Sequence, residues 1–306
     1  MNSQHKYAGI LTAIPTPLTQ DMAVDTGPLR AHVRRMAEAG SCGVVPLGGT
    51  GEYTSLSFDQ RVAVVEASLE AAQSAIAVIP GILSPGIGDA IDNAKAFVRA
   101  GAKALMVVTP YYFRPTQDGI VEYFERFSNE VDADIILYEI PYRTGVSLNF
   151  QTVDRLASMT RVVGIKACNP DLAQQMRAAE LAASKIAILT GEEDVMPLHV
   201  AMGAVGAIIT SSNLLPRQWD RVLELALAGQ LQESMALHAS LRPLIDTIFA
   251  EPNPAPIKAA MDFLGWGMGC DVMQPMKPAS AQLKERIAQV LPPLLEREQT
   301  LSRQLS

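Results

Sequence analysis

Eight short apolar runs rich in β-branched residues alternate with longer segments of helical pattern, and this alternation constrains the fold more than any other feature. A strand followed by a helix, repeated about eight times, is the pattern of a (β/α)8 barrel, or TIM barrel, within the α/β class. An open doubly wound sheet uses the same units but usually has a glycine-rich phosphate turn after its first strand. Here the segment 14–18, with two prolines, follows that strand, which favours the barrel. The expected strands are 9–13, 43–47, 77–80, 104–108, 135–139, 162–166, 187–190 and 207–210.

The segments between these runs carry helix signals. Asp25 or Thr26 can cap a first helix that ends at Gly40. Ser57 stands at capping-box spacing before an apolar face, and a third pattern stops at Gly101. These start and stop signals support a helix after each of the first three strands.

The residues after the eighth run are mostly helical in pattern, over 218–228, 231–249, 257–264 and 281–296. The first of these reads as the last barrel helix and the others as a helical appendage. We therefore expect a catalytic barrel domain over residues 1–229 and a C-terminal helical domain over residues 230–306.

Composition excludes several classes of protein. The net charge of −7 argues against a nucleic-acid or anionic-membrane surface. No apolar run approaches the ~20 residues needed to span a bilayer, and the N-terminus lacks a signal-peptide pattern. Three widely spaced cysteines fit a reducing compartment. The sequence thus predicts a cytoplasmic protein that binds small molecules and has neither nucleic-acid nor membrane partners.

Lys166 lies inside the apolar run 162–167, where an ammonium group is costly to bury. Such a lysine either finds an ionic partner or gives up its proton. A neutral lysine is a nucleophile toward carbonyl carbon, which is the chemistry of Schiff-base aldolases. The alternative interpretation is a charge that snorkels from a strand end or pairs with a carboxylate.

Four unusual features follow four different strands, and the C-terminal ends of barrel strands are where such enzymes build active sites. Lys166 ends the sixth run and Tyr138 ends the fifth. A glycine turn, 48–52, follows the second run, and Tyr111 and Tyr112 follow the fourth. This convergence predicts an enzyme.

The residues at the ends of the other strands suggest further roles in such chemistry. Tyr138 could move protons to and from the carbinolamine and the imine. The turn with Gly49 and Thr50 offers backbone N–H groups and a hydroxyl to a carboxylate, although it could simply be a tight turn. Arg143 could hold a second carboxylate in a bidentate grip, although a loop arginine is more often a surface group. The four histidines share no metal-ligand spacing, so neither metal nor cofactor is expected.

Taken together, these residues resemble the motifs of the dihydrodipicolinate synthase / N-acetylneuraminate lyase family. The resemblance covers nearly the whole chain and is carried by the segments 48–52, 109–112, 138–145, 164–166, 190–194 and 253–258. It implies a barrel with C-terminal helices, assembled as a homotetramer that is a dimer of dimers.

The resemblance also implies roles for individual residues. Lys166 would form a Schiff base with pyruvate or a related 2-oxo acid, with Tyr138 as the proton-transfer residue. Thr50 and its neighbouring backbone, including Gly49, would hold the 2-oxo acid carboxylate. Tyr112 would reach into the site of a neighbouring subunit. Two further positions, Gly191 and Ile208, match residues that line the site behind the lysine.

Arg143 followed by Thr144 and Gly145 favours the dihydrodipicolinate synthase branch, in which the arginine binds the carboxylate of aspartate semialdehyde. The chain departs from that branch at two positions. Gly49 stands where a threonine is usual, which removes a hydroxyl from the expected proton relay between Tyr138 and Tyr112, and Glu139 stands where asparagine is usual.

Three functions follow from this pattern. The first is a lyase or synthase that condenses pyruvate with L-aspartate semialdehyde to give 4-hydroxy-tetrahydrodipicolinate, in lysine and diaminopimelate biosynthesis. The second, motivated by Gly49, is an aldolase or dehydratase of a 2-keto-3-deoxy sugar acid. The third is a silent family member that senses a 2-oxo acid, and the retention of Lys166, Tyr138 and Arg143 together argues against it.

Overall fold

The computed structural model describes residues 5–305, with side chains through residue 301. Its sheet contains nine parallel strand segments in the order β3-β2-β1-β9-β8-β7-β6-β5-β4. They are β1 (Gly9–Ala13), β2 (Gly43–Val45), β3 (Ala77–Val78), β4 (Gly81–Ile82), β5 (Ala104–Val108), β6 (Asp134–Glu139), β7 (Val162–Ala167), β8 (Ala187–Thr190) and β9 (Gly206–Ile209).

The two outermost segments, β3 and β4, are halves of one strand, and they close the sheet into a barrel. Only Ile79 and Pro80 separate them, and both residues bond to the neighbouring strands. The Ile79 N–H donates to the Val44 carbonyl at 2.9 Å, and the Pro80 carbonyl accepts from the Met106 N–H at 2.9 Å. The sheet therefore has eight barrel strands, as the sequence predicted.

Prolines explain where the expected strands were too long. The second strand ends at Val45 rather than at residue 47, because Pro46 follows. The third is interrupted at Pro80, because proline has no N–H to donate to the ladder. The other strand ends agree with the sequence prediction to within one residue.

Within residues 5–305, twelve helices surround or follow the barrel. They are α1 (Thr26–Glu38), α2 (Phe58–Ala72), α3 (Ile87–Ala100), α4 (Gln117–Glu130), α5 (Pro141–Thr144), α6 (Phe150–Ala157), α7 (Leu172–Ala182), α8 (Met196–Ala201), α9 (Pro216–Leu227), α10 (Leu231–Ile248), α11 (Ala255–Phe263) and α12 (Ala281–Leu305). Asp25 caps α1, Ser57 and Gln60 form the expected capping box on α2, and Gly101 ends α3. None of these helices within residues 5–305 is long and apolar enough to cross a membrane.

Alternation along each strand sorts side chains between two apolar layers. On β6, Ile136 and Tyr138 belong to the barrel interior, whereas Ile135 and Leu137 pack beneath the helices. Lys166 pairs directly with Tyr138 across β6 and β7, so both side chains share the interior face. The strand register thus brings the lysine and the phenol together.

A buried ion pair fastens the C-terminal helices to the glycine turn. Lys258 on α11 is fully buried, and its Nζ lies 2.6 Å from Glu52 Oε1 and donates to the Asp271 carbonyl at 2.6 Å. The other Glu52 oxygen accepts from the Met273 N–H at 2.6 Å. The burial of Lys258 could not be predicted from the sequence, because its partner Glu52 is distant in the chain. The domain boundary between residues 229 and 230 stays a prediction.

Glu139, one of the two departures from the family pattern, braces two loops from the outer face of β6. Its Oε1 accepts from the Leu148 N–H and from the Asn169 Nδ2, each at 2.8 Å. Leu148 lies in the loop between α5, which carries Arg143, and α6, and Asn169 follows the strand that carries Lys166. Burial is the main reason that the pKa of Glu139 rises to about 7.

Lys258→Met should destabilise the fold by about 3–5 kcal/mol, because it leaves the Glu52 carboxylate buried without its cation. Chemical denaturation measures the loss. Lys95→Met is the matched control, since Lys95 pairs with Glu130 at the surface and should cost under about 1 kcal/mol. Equal, small effects of the two substitutions would contradict the anchoring role of Lys258.

Glu139→Gln should stabilise the protein at pH 8 but have little effect at pH 5. A carboxyl whose folded pKa is raised to about 7 opposes folding once ionised, so its cost grows as pH rises from the unfolded value of 4.5 and is complete above about 7. Glutamine keeps both accepted hydrogen bonds and removes that cost, which is of order 1–3 kcal/mol. Denaturation at the two pH values tests this, with the exposed Glu66→Gln on α2 as control. A stabilisation independent of pH would refute it.

Candidate active site

Lys166 lies in the barrel interior as an amine without an anionic partner. It is 9% exposed, and no hydrogen bond or ion pair joins its Nζ to any residue that the structure describes. Its Nζ stands 4.6 Å from the centroid of the Tyr138 ring. The geometry therefore excludes the interpretation in which a carboxylate pairs with this lysine.

Burial is the largest cause of the lowered pKa of Lys166, and the positive charge of Arg143 lowers it further. The carboxylates of Glu192 and Glu193 act in the opposite direction without reversing the shift. Both acids are engaged elsewhere. Glu192 accepts from the Tyr142 hydroxyl at 3.2 Å, and Glu193 accepts from the backbone N–H of Ser211 at 3.0 Å. A lowered pKa increases the fraction of neutral, nucleophilic amine.

Tyr138 stands at the end of β6 and is 5% exposed. Burial raises its pKa well above the ordinary value, with the Arg143 charge acting in the opposite direction. The phenol is therefore protonated near neutral pH and begins a reaction as a proton donor. Tyr138 also lines a cavity of about 370 Å³, together with Gly49, Arg143 and Asn253. That cavity is where a substrate can meet the phenol.

The glycine turn between β2 and α2 brings a hydroxyl to the edge of this region. Thr50 is 4% exposed, and its Oγ1 lies 3.1 Å from Thr210 Oγ1. The Asn253 Nδ2 donates to the same oxygen at 2.8 Å. Because Thr50 already accepts from the amide, its own proton is free to point to Thr210 or to a bound carboxylate.

Gly191 lies against the lysine, and Ile208 lies in the apolar interior of the barrel. A Cβ atom on Gly191 would come within 2.7 Å of Lys166 Cε and 2.1 Å of Cys168 Sγ, so only glycine fits there. Ile208 is fully buried on β9, in the apolar interior that also contains Tyr138. These two residues shape the space around the lysine stem.

Arg143 and Tyr112 are the two expected site residues that the chain leaves exposed. Arg143 lines the cavity, and no carboxylate pairs with its guanidinium in the described part of the chain. Tyr112 is 81% exposed, has a left-handed φ of 79°, and contacts Phe113 edge to face. Within one chain, Tyr112 therefore stays outside the group formed by Lys166, Tyr138 and Arg143.

Sequence reasoning missed two polar residues at the site. Asn253 lies in a segment that carries the family resemblance, but the sequence predicts no role for it. In the structure its amide donates a hydrogen bond to Thr50. The sequence likewise predicts no role for Glu192, whose charge raises the pKa of Lys166 against the effect of burial. Asn253 is distant from Thr50 in the sequence, and Glu192 follows a different strand from the one that carries Lys166. Only the motifs that contain these residues could have indicated them. Within the described residues, no three His, Cys, Asp or Glu side chains gather as a metal site.

Comparisons with known proteins identify the family of the chain. The model of the dihydrodipicolinate synthetase family matches residues 6–293. A 4-hydroxy-tetrahydrodipicolinate synthase of Sorangium cellulosum is 37% identical over 291 residues, which is 94% of this chain and 96% of the relative. The corresponding protein of Methanothrix thermoacetophila is 35% identical, over 93% of this chain and 96% of the relative.

Solved structures lead to the same family. The dihydrodipicolinate synthase of Thermotoga maritima superposes with a TM-score of 0.90 at 33% identity, covering 95% of this chain and 99% of that one. The chloride-inhibited enzyme of Acinetobacter baumannii, solved in complex with pyruvate, gives 0.89 at 30% identity over 94% and 99% of the two chains. With its barrel, its buried lysine and these relatives, the chain belongs to the dihydrodipicolinate synthetase family.

Proposed function

We propose that this protein is a Schiff-base lyase that condenses pyruvate with L-aspartate semialdehyde to give 4-hydroxy-tetrahydrodipicolinate. One observation carries the proposal: an unpaired, buried Lys166 amine with a lowered pKa lies 4.6 Å from the ring of a protonated phenol. The name shared by the relatives supports the identity of both substrates.

The first half of the reaction forms an enamine. The neutral Lys166 amine attacks C2 of pyruvate and gives a carbinolamine, whose hydroxyl leaves as water with a proton from Tyr138. Transfer of a proton from C3 of the resulting imine to the Tyr138 phenolate gives the enamine and restores the phenol. Thr50 and the N–H groups of its turn can hold the pyruvate carboxylate during these steps.

The second half joins the two substrates. The enamine carbon attacks the aldehyde carbon, and the new alkoxide takes up the proton of the buried Tyr138 hydroxyl. The amino group of the adduct then displaces Lys166 from the imine carbon, which closes the ring and frees the enzyme. Arg143, the exposed guanidinium at the cavity, can hold the carboxylate of the semialdehyde.

Borohydride reduction in the presence of pyruvate should attach a pyruvate-derived group to Lys166, because reduction of the imine makes its C–N bond permanent. Peptide mass spectrometry locates the adduct. Lys258 is an internal control, since it is also buried but is held by Glu52. Lys166→Arg should abolish both labelling and turnover. Labelling at Lys258, or none at all, would sink the proposed mechanism.

We further infer a homotetramer in which Tyr112 completes the site of a neighbouring copy. Tyr112 and Phe113 are 81% and 87% exposed, and exposed aromatic pairs are common at protein interfaces. The exposed Tyr112 lies in the loop between β5 and α4, on the face where the strands end.

Co-expression of Lys166→Ala and Tyr112→Phe chains should restore activity above that of either variant alone. In a mixed assembly, a chain with intact Lys166 receives an intact Tyr112 from its neighbour. Differently tagged chains allow the mixed assembly to be purified and assayed. If mixed assemblies form but show no gain over Tyr112→Phe alone, Tyr112 does not act across subunits.

A further inference from the structure

One carboxylate oxygen ties together the two loops that follow β6 and β7. Glu139 Oε1 accepts from the Leu148 N–H and from the Asn169 Nδ2, each at 2.8 Å. The first bond closes the segment between Glu139 and Leu148 into a loop, and Arg143 lies in the middle of that segment. The second bond joins the same loop to the chain just after β7. Glu139 therefore fixes the base of the loop that carries Arg143.

The position of the Arg143 guanidinium depends on the backbone beneath it. No carboxylate pairs with the guanidinium in residues 5–301, so no ionic partner holds it in place. The backbone beneath it is held at Leu148, whose N–H donates to Glu139 and whose carbonyl accepts from the Gln174 Nε2 at 2.7 Å. Lys166 differs, because β7 is paired with β6 on one side and with β8 on the other. A loosened loop would thus displace the guanidinium and leave the amine where it is.

The Glu139 carboxyl faces an uncharged environment behind the barrel wall. It is 4% exposed and borders a cavity of about 20 Å³. The described residues that share this cavity, on α6, β7, α7 and β8, are apolar or carry amides: Val153, Ile165, Ala167, Gln174, Gln175, Ala178, Ala179 and Ile188. The Cys168 thiol also interacts with Glu139, and burial raises the pKa of that thiol well above its usual value, so it stays neutral.

This environment makes the strength of the two hydrogen bonds depend on pH. Burial raises the pKa of Glu139 to about 7, although both hydrogen bonds act in the opposite direction. Hydrogen bonds to an ionised acceptor are roughly twice as strong as those to a neutral one. Above a pH of about 7 the loop is therefore held by the stronger, ionised acceptor, and below it by the weaker, neutral acid.

We propose that Glu139 is a positioning residue for the second substrate, because its bonds to Leu148 and Asn169 hold the Arg143 loop where the guanidinium meets the carboxylate of the aldehyde acid. The inference rests on the proposed function, from which it takes the role of Arg143. It goes beyond that function by giving a part in acceptor binding to a side chain on the outer face of β6.

Glu139→Leu removes both accepted hydrogen bonds and nearly keeps the volume of the side chain. It should raise the KM for L-aspartate semialdehyde roughly tenfold, because a loop displaced by about 1 Å misplaces the guanidinium. The KM for pyruvate and the borohydride labelling of Lys166 should stay near the wild-type values, because β7 remains paired on both sides. A merely structural role would lower stability without separating the two KM values, and thermal unfolding verifies that the variant is folded.

Glu139→Gln separates charge from hydrogen bonding, because glutamine presents a neutral acceptor at every pH. Its KM for the semialdehyde should match that of the wild type at pH 6 and exceed it roughly threefold to tenfold at pH 8, where the wild-type carboxyl is ionised. The same variant should be the more stable protein at pH 8, so the weaker acceptor binding cannot come from a loss of fold. Gln174→Leu is the matched control. It removes the other hydrogen bond of Leu148 and no charge, so its KM relative to the wild type should be the same at both pH values.

Two results would overturn the inference. One is a Glu139→Gln enzyme whose KM for the semialdehyde equals that of the wild type, or differs from it by the same factor, at both pH values. The other is a folded Glu139→Leu enzyme that loses pyruvate labelling together with acceptor binding, since the residue would then support the whole site. Absence of pyruvate labelling in the wild-type enzyme is a different result, and it refutes the proposed function.

Discussion

The site depends on keeping one amine buried without an anion beside it. In the barrel interior a charged ammonium loses more hydration free energy than its surroundings return. The pKa of Lys166 is therefore lowered. Gly191 leaves room for the lysine stem, and the Tyr138 ring lies 4.6 Å from its nitrogen. The nearest acids, Glu192 and Glu193, are bound to Tyr142 and to the 210–211 backbone. Their engagement elsewhere keeps the amine free.

Lys258 shows what the same side chain does when an anion is supplied. It is more deeply buried than Lys166, yet Glu52 lies 2.6 Å from its nitrogen, and the pair ties α11 to the glycine turn. A nearby segment also supplies Asn253, whose amide holds the Thr50 hydroxyl. The C-terminal helices therefore support the turn that is proposed to bind the 2-oxo acid. One buried lysine serves the fold because it is paired, and the other suits chemistry because it is not.

Local sequence patterns were enough to predict most of the fold. Apolar runs and capping residues such as Ser57 gave the order of strands and helices, because those signals lie within a few neighbouring residues. The predicted strands were too long at Pro46 and Pro80, because the apolar pattern continues past prolines, which have no N–H to donate to the sheet. At the site, the sequence pointed to Lys166 because a charge inside an apolar run is visible locally. The burial of Lys258 and the contact of Arg143 with Gly49 were not visible, because each depends on a partner brought near only by the closed barrel.

The two departures from the family pattern converge on one segment. The Arg143 guanidinium lies beside the glycine turn, 2.8 Å from where a Cβ atom of residue 49 would stand, and Glu139 accepts from the Leu148 N–H in the loop after α5. Neither residue forms a hydrogen bond with the Lys166 nitrogen. A side chain at position 49 would meet the movable end of Arg143, whereas loss of the Glu139 carboxylate would remove a hydrogen bond from the backbone after α5. Both positions therefore border the segment that carries Arg143, whereas Lys166 and Tyr138 lie on β7 and β6. The imine-forming half of the site and its acceptor-binding half are separable in this fold because different loops support them.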